Sequence, residues 1–234
     1  MLQRLITRHA IPLLLTLCAC LHPLDAHAAT AITKSNPAAQ TEPLTEGLVN
    51  AFAHQDFKRA GQLVNAIRKR FHNMRQKMKS RPFNERKERE LAMMHAWLRV
   101  ITVAIRNRSG IGGAIAANQL TAAMIRNERF PDTVKSSIAW LDYLSRDIVL
   151  LNMEGPKSNA SLLAIRRDDI TITWNHLRNL LLKNFRNKTI TMNIDHLVKH
   201  LDTHLDRASQ IADGKQLGAW VEKLEHLPDP EKKG

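Results

Sequence analysis

Cysteine occurs only twice in this 234-residue chain, as Cys18 and Cys20, and is absent from every later position. The rest of the chain therefore offers neither disulfide bonds nor thiolate metal ligands, so packing alone must stabilise its fold. Aromatic residues are also scarce, at 5%, and the longest apolar run is too short to span a bilayer. These absences favour a packed, disulfide-free domain without a transmembrane span.

Sequence motifs of common enzymes are also missing. The chain has no His-Glu-x-x-His, no Gly-x-Ser-x-Gly and no Cys-x-x-Cys-His. The glycines from Gly110 to Gly113 lack the preceding strand of a nucleotide-binding loop. We therefore expect a non-catalytic protein. A hydrolase with an unrecognised site is the distant alternative, because paired carboxylates can come together without a sequence signature.

The N-terminus has the order of a secretory signal. Arg4 and Arg8 precede a short apolar core over residues 11–19, and Ala26-His27-Ala28 matches a small-x-small cleavage site. We expect residues 1–28 to be removed, so that the mature protein works in the bacterial periplasm or is secreted. In the alternative interpretation, Leu17-Cys18-Ala19-Cys20 resembles a lipobox and Cys20 carries a lipid anchor.

The remaining chain divides into three predicted parts. Residues 29–43 are small, polar and proline-bearing, which is typical of a flexible leader, and residues 228–234 form a charged tail. Between them, residues 44–227 repeat apolar side chains at intervals of three and four. We predict an all-α domain of about eight helices packed as helical hairpins, in a bundle or a short hairpin array.

The breaks in this periodicity predict the helix limits. Similar joints near residues 54–63, 110–120 and 166–177 indicate a weak internal repeat of about 55 residues. Asp213-Gly214 is predicted to end the seventh helix. The predicted helices are 44–54, 56–80, 84–107, a fourth ending near 128, a fifth from Asp132 to Gly155, then 168–187, 190–211 and 215–226.

A stripe of histidines lies on the predicted helix 190–211. Met192, His196, His200 and His204 follow at intervals of four, and two imidazoles at such a spacing can share one metal ion. Each step drifts about 40° around the helix, so one ion cannot bind all four. We predict His200 and His204 as ligands, His196 or Met192 as accessories, and copper, zinc or nickel as the metal. The alternative is a polar flank, with His204 beside an apolar face of Ile194, Leu197, Leu201 and Leu205.

Positive charge is concentrated in the second and third predicted helices. Twelve of the residues from 58 to 89 are Lys or Arg, and no acidic residue occurs there before Glu85. Such a stripe attracts polyanions through a salt-sensitive interaction, although many charge runs are only solvated surface. The candidate anion-binding residues are Arg68, Lys69, Arg70, Arg75, Lys77, Lys79 and Arg81.

Other clusters are expected to be structural. Met74, Met78 and Met94 should fill the core. Together with His72, Met93 and His95 they form a cluster, and a copper or haem-iron site is conceivable if this cluster met the histidine stripe. The tryptophans, on four separate helices, should anchor the core. Asp142, Arg146 and Asp147 lie within helical reach of one another. The tryptophans are Trp97, Trp140, Trp174 and Trp220.

We therefore expect an exported, non-catalytic binding or accessory protein of the bacterial periplasm or cell envelope. Removing residues 1–28 leaves 33 basic and 21 acidic residues, a net charge of +12. This charge favours an anionic envelope component or an acidic protein as the partner, and nucleic acid only outside the cell. The main alternative is a periplasmic metal-binding protein that uses the histidine stripe.

Overall fold

The computed structural model describes residues 42–79, 84–127, 130, 132–184 and 188–226. These residues form eight α-helices and no strand, which confirms the predicted all-α class. None of the described helices is long and apolar enough to cross a membrane. The predicted signal, nearly all of the leader and the charged tail lie outside the described residues. The helices are α1 (Glu42–Ala53), α2 (Phe57–Lys79), α3 (Glu85–Arg106), α4 (Gly110–Asn127), α5 (Thr133–Glu154), α6 (Ala160–Asn184), α7 (Lys188–Thr203) and α8 (Arg207–Glu225).

Two groups of buried side chains form the core, and α4 contributes to both. The first group lies mainly among α1 to α4 and includes Phe52 and Ile67. The second lies mainly among α5 to α8, surrounds Trp174 and includes Ala122 of α4. Small residues make up much of the buried surface of α4, so α1, α3 and α5 can all pack closely against it.

Two of the three predicted joints share one geometry. Gln55, between α1 and α2, and Arg108, between α3 and α4, adopt left-handed φ values of 57° and 50°. At each joint the next backbone N–H donates to the carbonyl five residues earlier, at 2.8 and 2.9 Å, as in a Schellman motif. A Cβ atom at Gly110 would lie 3.3 Å from the carbonyl oxygen of Phe52, so the two joints pack against each other. The repeat therefore holds for the first two hairpins.

The third predicted joint, at residues 166–177, is wrong. These residues lie inside α6, which begins at Ala160 rather than at residue 168. Asp168 and Asp169 belong to that predicted joint. In the structure, Asp169 instead accepts a hydrogen bond from Arg166, three residues earlier on the same helix, at 3.1 Å.

The predicted helix 190–211 is two helices. The end of α7 at Thr203 is stabilised by Gln210, whose Nε2 donates to the carbonyls of Leu201 and His204 at 2.6 and 2.7 Å. Asp206 then caps α8 by accepting the Ser209 N–H at 2.9 Å. Asp213-Gly214, predicted to end a helix, lies inside α8, and the predicted start of the last helix at residue 215 is also wrong.

The glycines of α8 serve close packing rather than chain termination. A Cβ atom at Gly214 would lie 2.8 Å from Cγ2 of Val149 and 3.2 Å from the carbonyl oxygen of Ser145. One turn later, a Cβ atom at Gly218 would lie 3.2 Å from Oγ of Ser145. Glycine therefore lets α8 approach the backbone of α5, at the known cost of a poorer helix propensity.

Candidate functional site

The basic helix α2 lies at the edge of the helical domain. Its buried side chains, Ala60, Val64, Ile67 and Phe71, follow one stripe and pack against α1 and α3. Met74 near its end also accepts a hydrogen bond from the Asn127 side chain of α4, at 3.7 Å. Most of its other described side chains are exposed.

Three of the predicted basic residues lie on this solvent face. Arg68, Lys69 and Arg75 are exposed, and none forms an ion pair within the described part of the chain. Arg70 is half-buried, and its Nη1 atom is removed from solvent without an acceptor among the described residues. The side chains of Lys77 and Lys79, and all of Arg81, lie outside the described residues.

The third helix contributes a basic residue that the sequence interpretation missed. An Nη atom of Arg68 donates to the Thr102 hydroxyl of α3 at 2.6 Å, which places this guanidinium at the α2–α3 seam. Arg99 precedes Thr102 by three residues, so both lie on the same face of α3, and Arg99 is exposed. We call Arg68, Lys69, Arg75 and Arg99 the basic surface. In the sequence, the polar residue Thr102 three positions after Arg99 was the only indication that this face of α3 is polar.

The predicted metal ligands His200 and His204 lie together. Their ring centroids are 3.6 Å apart with an interplanar angle of 31°, and the next ring, His196, is 5.4 Å from His200. Nδ1 of His200 lies 2.8 Å from Oδ2 of Asp213, a residue of α8 that the sequence interpretation missed. Because Asp213 was interpreted as a helix terminator, its role in binding a histidine of α7 was not visible.

Two features of the predicted stripe are wrong. His204 does not lie beside the apolar face but is exposed, and Leu205 is 64% exposed rather than part of that face. Both differences follow from the end of α7 at Thr203, since residues beyond that point leave the helical register. Met192 lies eight residues before His200, about 12 Å along the helix, which is too far to share an ion with it. No group of three or more His, Cys, Asp or Glu side chains in the described ranges is arranged to hold a metal.

A buried carboxylate, Asp147, connects three helices of the core. Its side chain is 0% exposed and accepts hydrogen bonds from Asn118 and Gln119 of α4 at 3.1 and 3.2 Å. Tyr143 donates at 3.2 Å, and Nε of Arg166 on α6 donates at 2.7 Å. Burial, followed by the charge of Asp147, raises the pKa of Tyr143. The carboxylate is fully partnered, which is typical of a group that fixes helix positions.

The sequence offered a signal for this network. Asp147 lies between the apolar positions of Leu144, Ile148 and Leu151, where a charge should be buried. Asp142 does not join it. Arg146 instead contacts Asp142 at 2.5 Å and Glu46 of α1 at 2.9 Å. Burial raises the pKa of Asp142, although the charge of Arg146 opposes that rise.

Asp195, the residue before His196, forms a further hydrogen-bonded link between helices. It accepts hydrogen bonds from Nε1 of Trp174 and Nε of Arg178, both at 2.8 Å. The link joins α6 to α7. Trp174 is fully buried, which confirms its predicted role as a core anchor, whereas the other tryptophans are half-buried.

The methionine cluster does not meet the histidine stripe. Met94 is buried and Met74 is half-buried against the first core group, as expected for core packing. Met93 and His95 are exposed. Among the described elements, α2 packs on α1 and α3 while α7 packs on α6 and α8, so no shared site forms. The side chain of Met78 is not among those described.

A shallow groove of about 340 Å³ lies between the end of α4, the start of α5 and the middle of α6. Its walls combine apolar side chains with hydroxyl groups, and His176 is its only ionisable residue. Such a lining lacks the paired acid and base of a hydrolytic centre. The lining residues are Ile125, Ser136, Ser137, Trp140, Ile172, Thr173 and His176.

No family model, curated protein sequence or solved structure matches this chain. The interpretation of its function therefore depends on the basic surface, the histidine pair and the N-terminal sequence.

Proposed function

We propose that this protein is an exported, non-catalytic accessory protein whose basic surface adsorbs to an anionic lipid surface of the bacterial envelope. The observation that supports this proposal is that no acidic side chain among the described residues neutralises the positive charges of this surface. Arg68, Lys69, Arg75 and Arg99 are exposed, and none has an acidic partner within the described residues. Their charges are thus free to interact with phosphate groups outside the molecule.

The form of α2 favours adsorption rather than insertion. A helix that inserts into a membrane interface exposes large apolar residues beside its basic face. In α2 the apolar stripe is used internally, and no large hydrophobic side chain among its described residues is prominently exposed. Binding through α2 should therefore be electrostatic, with about 1 kcal/mol from each Lys or Arg near an anionic surface, and should weaken as salt rises.

The test is cosedimentation of the protein with vesicles containing phosphatidylglycerol, at low and high NaCl. The triple variant Arg68→Glu/Lys69→Glu/Arg75→Glu should lose about 3 kcal/mol or more, which is ~100-fold in affinity. Arg70 is left unchanged, because its partly buried guanidinium would confuse a loss of binding with a loss of stability.

A matched control changes the same net charge on another part of the surface. The variant Lys157→Glu/Lys199→Glu/Lys215→Glu reverses three exposed lysines that lie away from α2 and α3. We expect it to retain most of the binding. Equal losses in both variants would mean that only net charge matters, and undiminished binding by the α2 variant would refute the proposal.

Export is tested separately by the mass of the protein recovered from its native host. Cleavage after Ala28 would give a mature chain beginning at Ala29, whereas acylation would begin it at Cys20. Recovery of the full-length chain from the cytoplasm would contradict the periplasmic part of the proposal.

A further inference from the structure

We infer that His200 and His204 form a two-imidazole site for a Cu(II) ion, with the ring of His200 positioned by Asp213. This site lies on α7 and the residue after it, and shares no residue with the basic surface. The inference can therefore be tested independently of the proposed function. It depends on which ring nitrogen of each histidine carries no proton and can bind a metal.

Asp213 determines the free nitrogen of His200. Its carboxylate can only accept, so the 2.8 Å contact means that Nδ1 of His200 carries the proton and donates. Nε2 then holds a lone pair that can bind a metal. A carboxylate that holds the second nitrogen of a metal-binding imidazole fixes its orientation and raises its basicity. The His200 side chain is 35% exposed and that of Asp213 10%, so the carboxylate is sheltered while the imidazole remains in contact with solvent.

The neighbourhood of His204 favours the same tautomer. Nδ1 of His204 lies 3.3 Å from the carbonyl oxygen of His200, which can only accept, and 3.0 Å from the Thr203 hydroxyl. That hydroxyl has one proton, and its two carbonyl acceptors, Lys199 and His200, lie at 3.1 and 3.2 Å; with its proton directed to them, it acts as an acceptor toward His204. Nδ1 of His204 therefore carries the proton, and its Nε2 is free as well.

Three features prepare this pair for a cation. The two rings are stacked, with centroids 3.6 Å apart and planes 31° apart, so binding one ion requires them to tilt apart but not to leave the end of α7. Gln210 holds the surrounding backbone through the carbonyls of Leu201 and His204. The negative end of the α7 dipole lies at the same place, which favours positive charge there.

The ligand set favours Cu(II) among the divalent metals. Two neutral imidazole nitrogens with water in the other positions suit a tetragonal ion, and Cu(II) binds such sites more tightly than Ni(II) or Zn(II). His196 is exposed, with its ring 5.4 Å from His200, and we place it outside the pair. An open site with two protein ligands should exchange its ion readily.

The test is titration of the tag-free protein with Cu(II) by calorimetry, together with electron paramagnetic resonance of the loaded protein. We expect one ion at the pair, with a spectrum that reports two nitrogen ligands. His204→Ala should remove one nitrogen without disturbing the Asp213 link, and Asp213→Asn should weaken binding by about 10- to 100-fold. His196→Gln should change little.

A matched control removes two exposed imidazoles elsewhere, in the variant His95→Ala/His176→Ala. It should bind Cu(II) as the unchanged protein does, whereas His200→Ala/His204→Ala should lose the stoichiometric step. Circular dichroism of each variant separates loss of the site from loss of the fold. Full binding by His204→Ala, or an equal loss in the control, would overturn the inference.

Discussion

A single methyl group added at Gly113 should test how tightly α1 and α4 are packed. A Cβ atom at this position would lie 2.2 Å from Cε1 and 2.3 Å from Cδ1 of Phe52. Carbon atoms in contact prefer separations of about 3.5–4.0 Å. Phe52 is fully buried within the first core group, so its ring has no open space into which it can move freely.

The size of the effect follows from two opposing terms. Overpacking of a core costs about 1–3 kcal/mol, while replacing glycine by alanine in a helix gains up to about 1 kcal/mol. We expect Gly113→Ala to lower the free energy of unfolding by about 2 kcal/mol, because the clash involves a large ring. Gly61 of α2 is the control, since a Cβ atom there would meet nothing within 4 Å. Gly61→Ala should therefore stabilise the protein by about 0.5–1 kcal/mol.

The assay is urea denaturation followed by circular dichroism at 222 nm, with thermal unfolding as a second measurement. The melting temperature should fall by about 4–8 °C for Gly113→Ala and rise for Gly61→Ala. The double variant Phe52→Leu/Gly113→Ala should lose less stability than the two single variants together, because the shorter side chain makes room for the methyl group. If Gly113→Ala were as stable as the unchanged protein, the inferred close approach of α1 and α4 would be wrong.

Three further predictions concern carboxylates. Asp147→Ala should lower the free energy of unfolding by about 3–5 kcal/mol, because it leaves Arg166 without its buried partner. Asp169→Ala is the control in the same urea assay. Because its side chain is 36% exposed, this variant should lower the free energy of unfolding by less than about 1 kcal/mol. Asp132→Ala should cost about 1 kcal/mol through loss of the α5 cap, and an unchanged urea midpoint would contradict that role. Hydrogen bonds at the start of α8 lower the pKa of Asp206, so its stabilising charge is complete above its unfolded pKa and is lost as the pH falls through the folded pKa. Asp206→Asn keeps the cap but removes the titrating group, so the melting temperature should depend less on pH in the acid range. An unchanged dependence on pH would refute the stabilising role of the Asp206 charge.

The caps of α2 and α5 were predictable because they depend on neighbouring residues, whereas the cap of α8 at Asp206 lies inside a predicted helix. Asp56 accepts the Arg59 N–H at 2.9 Å and Asp132 accepts the Lys135 N–H at 2.7 Å, as their places before apolar periods indicate. Gly214 shows the limit of such reasoning. An isolated glycine in a helical pattern suggests a stop, but here α5 approaches so closely that only glycine fits.

The residues of the candidate sites likewise fall into those that the sequence identified and those that it missed. Spacing along the sequence identified His200 and His204 as neighbours and α2 as a basic helix, since both properties need only a helix of known period. Asp213 and Arg99 were missed because their roles depend on another helix packed beside their own.

The sequence by itself determined the all-α class, the capped starts of α2 and α5 and the concentration of positive charge, because helical periodicity and capping act over a few residues. Tertiary structure alone decided which side chains of α4 and α6 bind Asp147, and that Asp213 reaches His200 across the α7–α8 turn. The physical reason is that burial and hydrogen bonding between helices depend on how elements pack, which the order of residues within one helix does not specify.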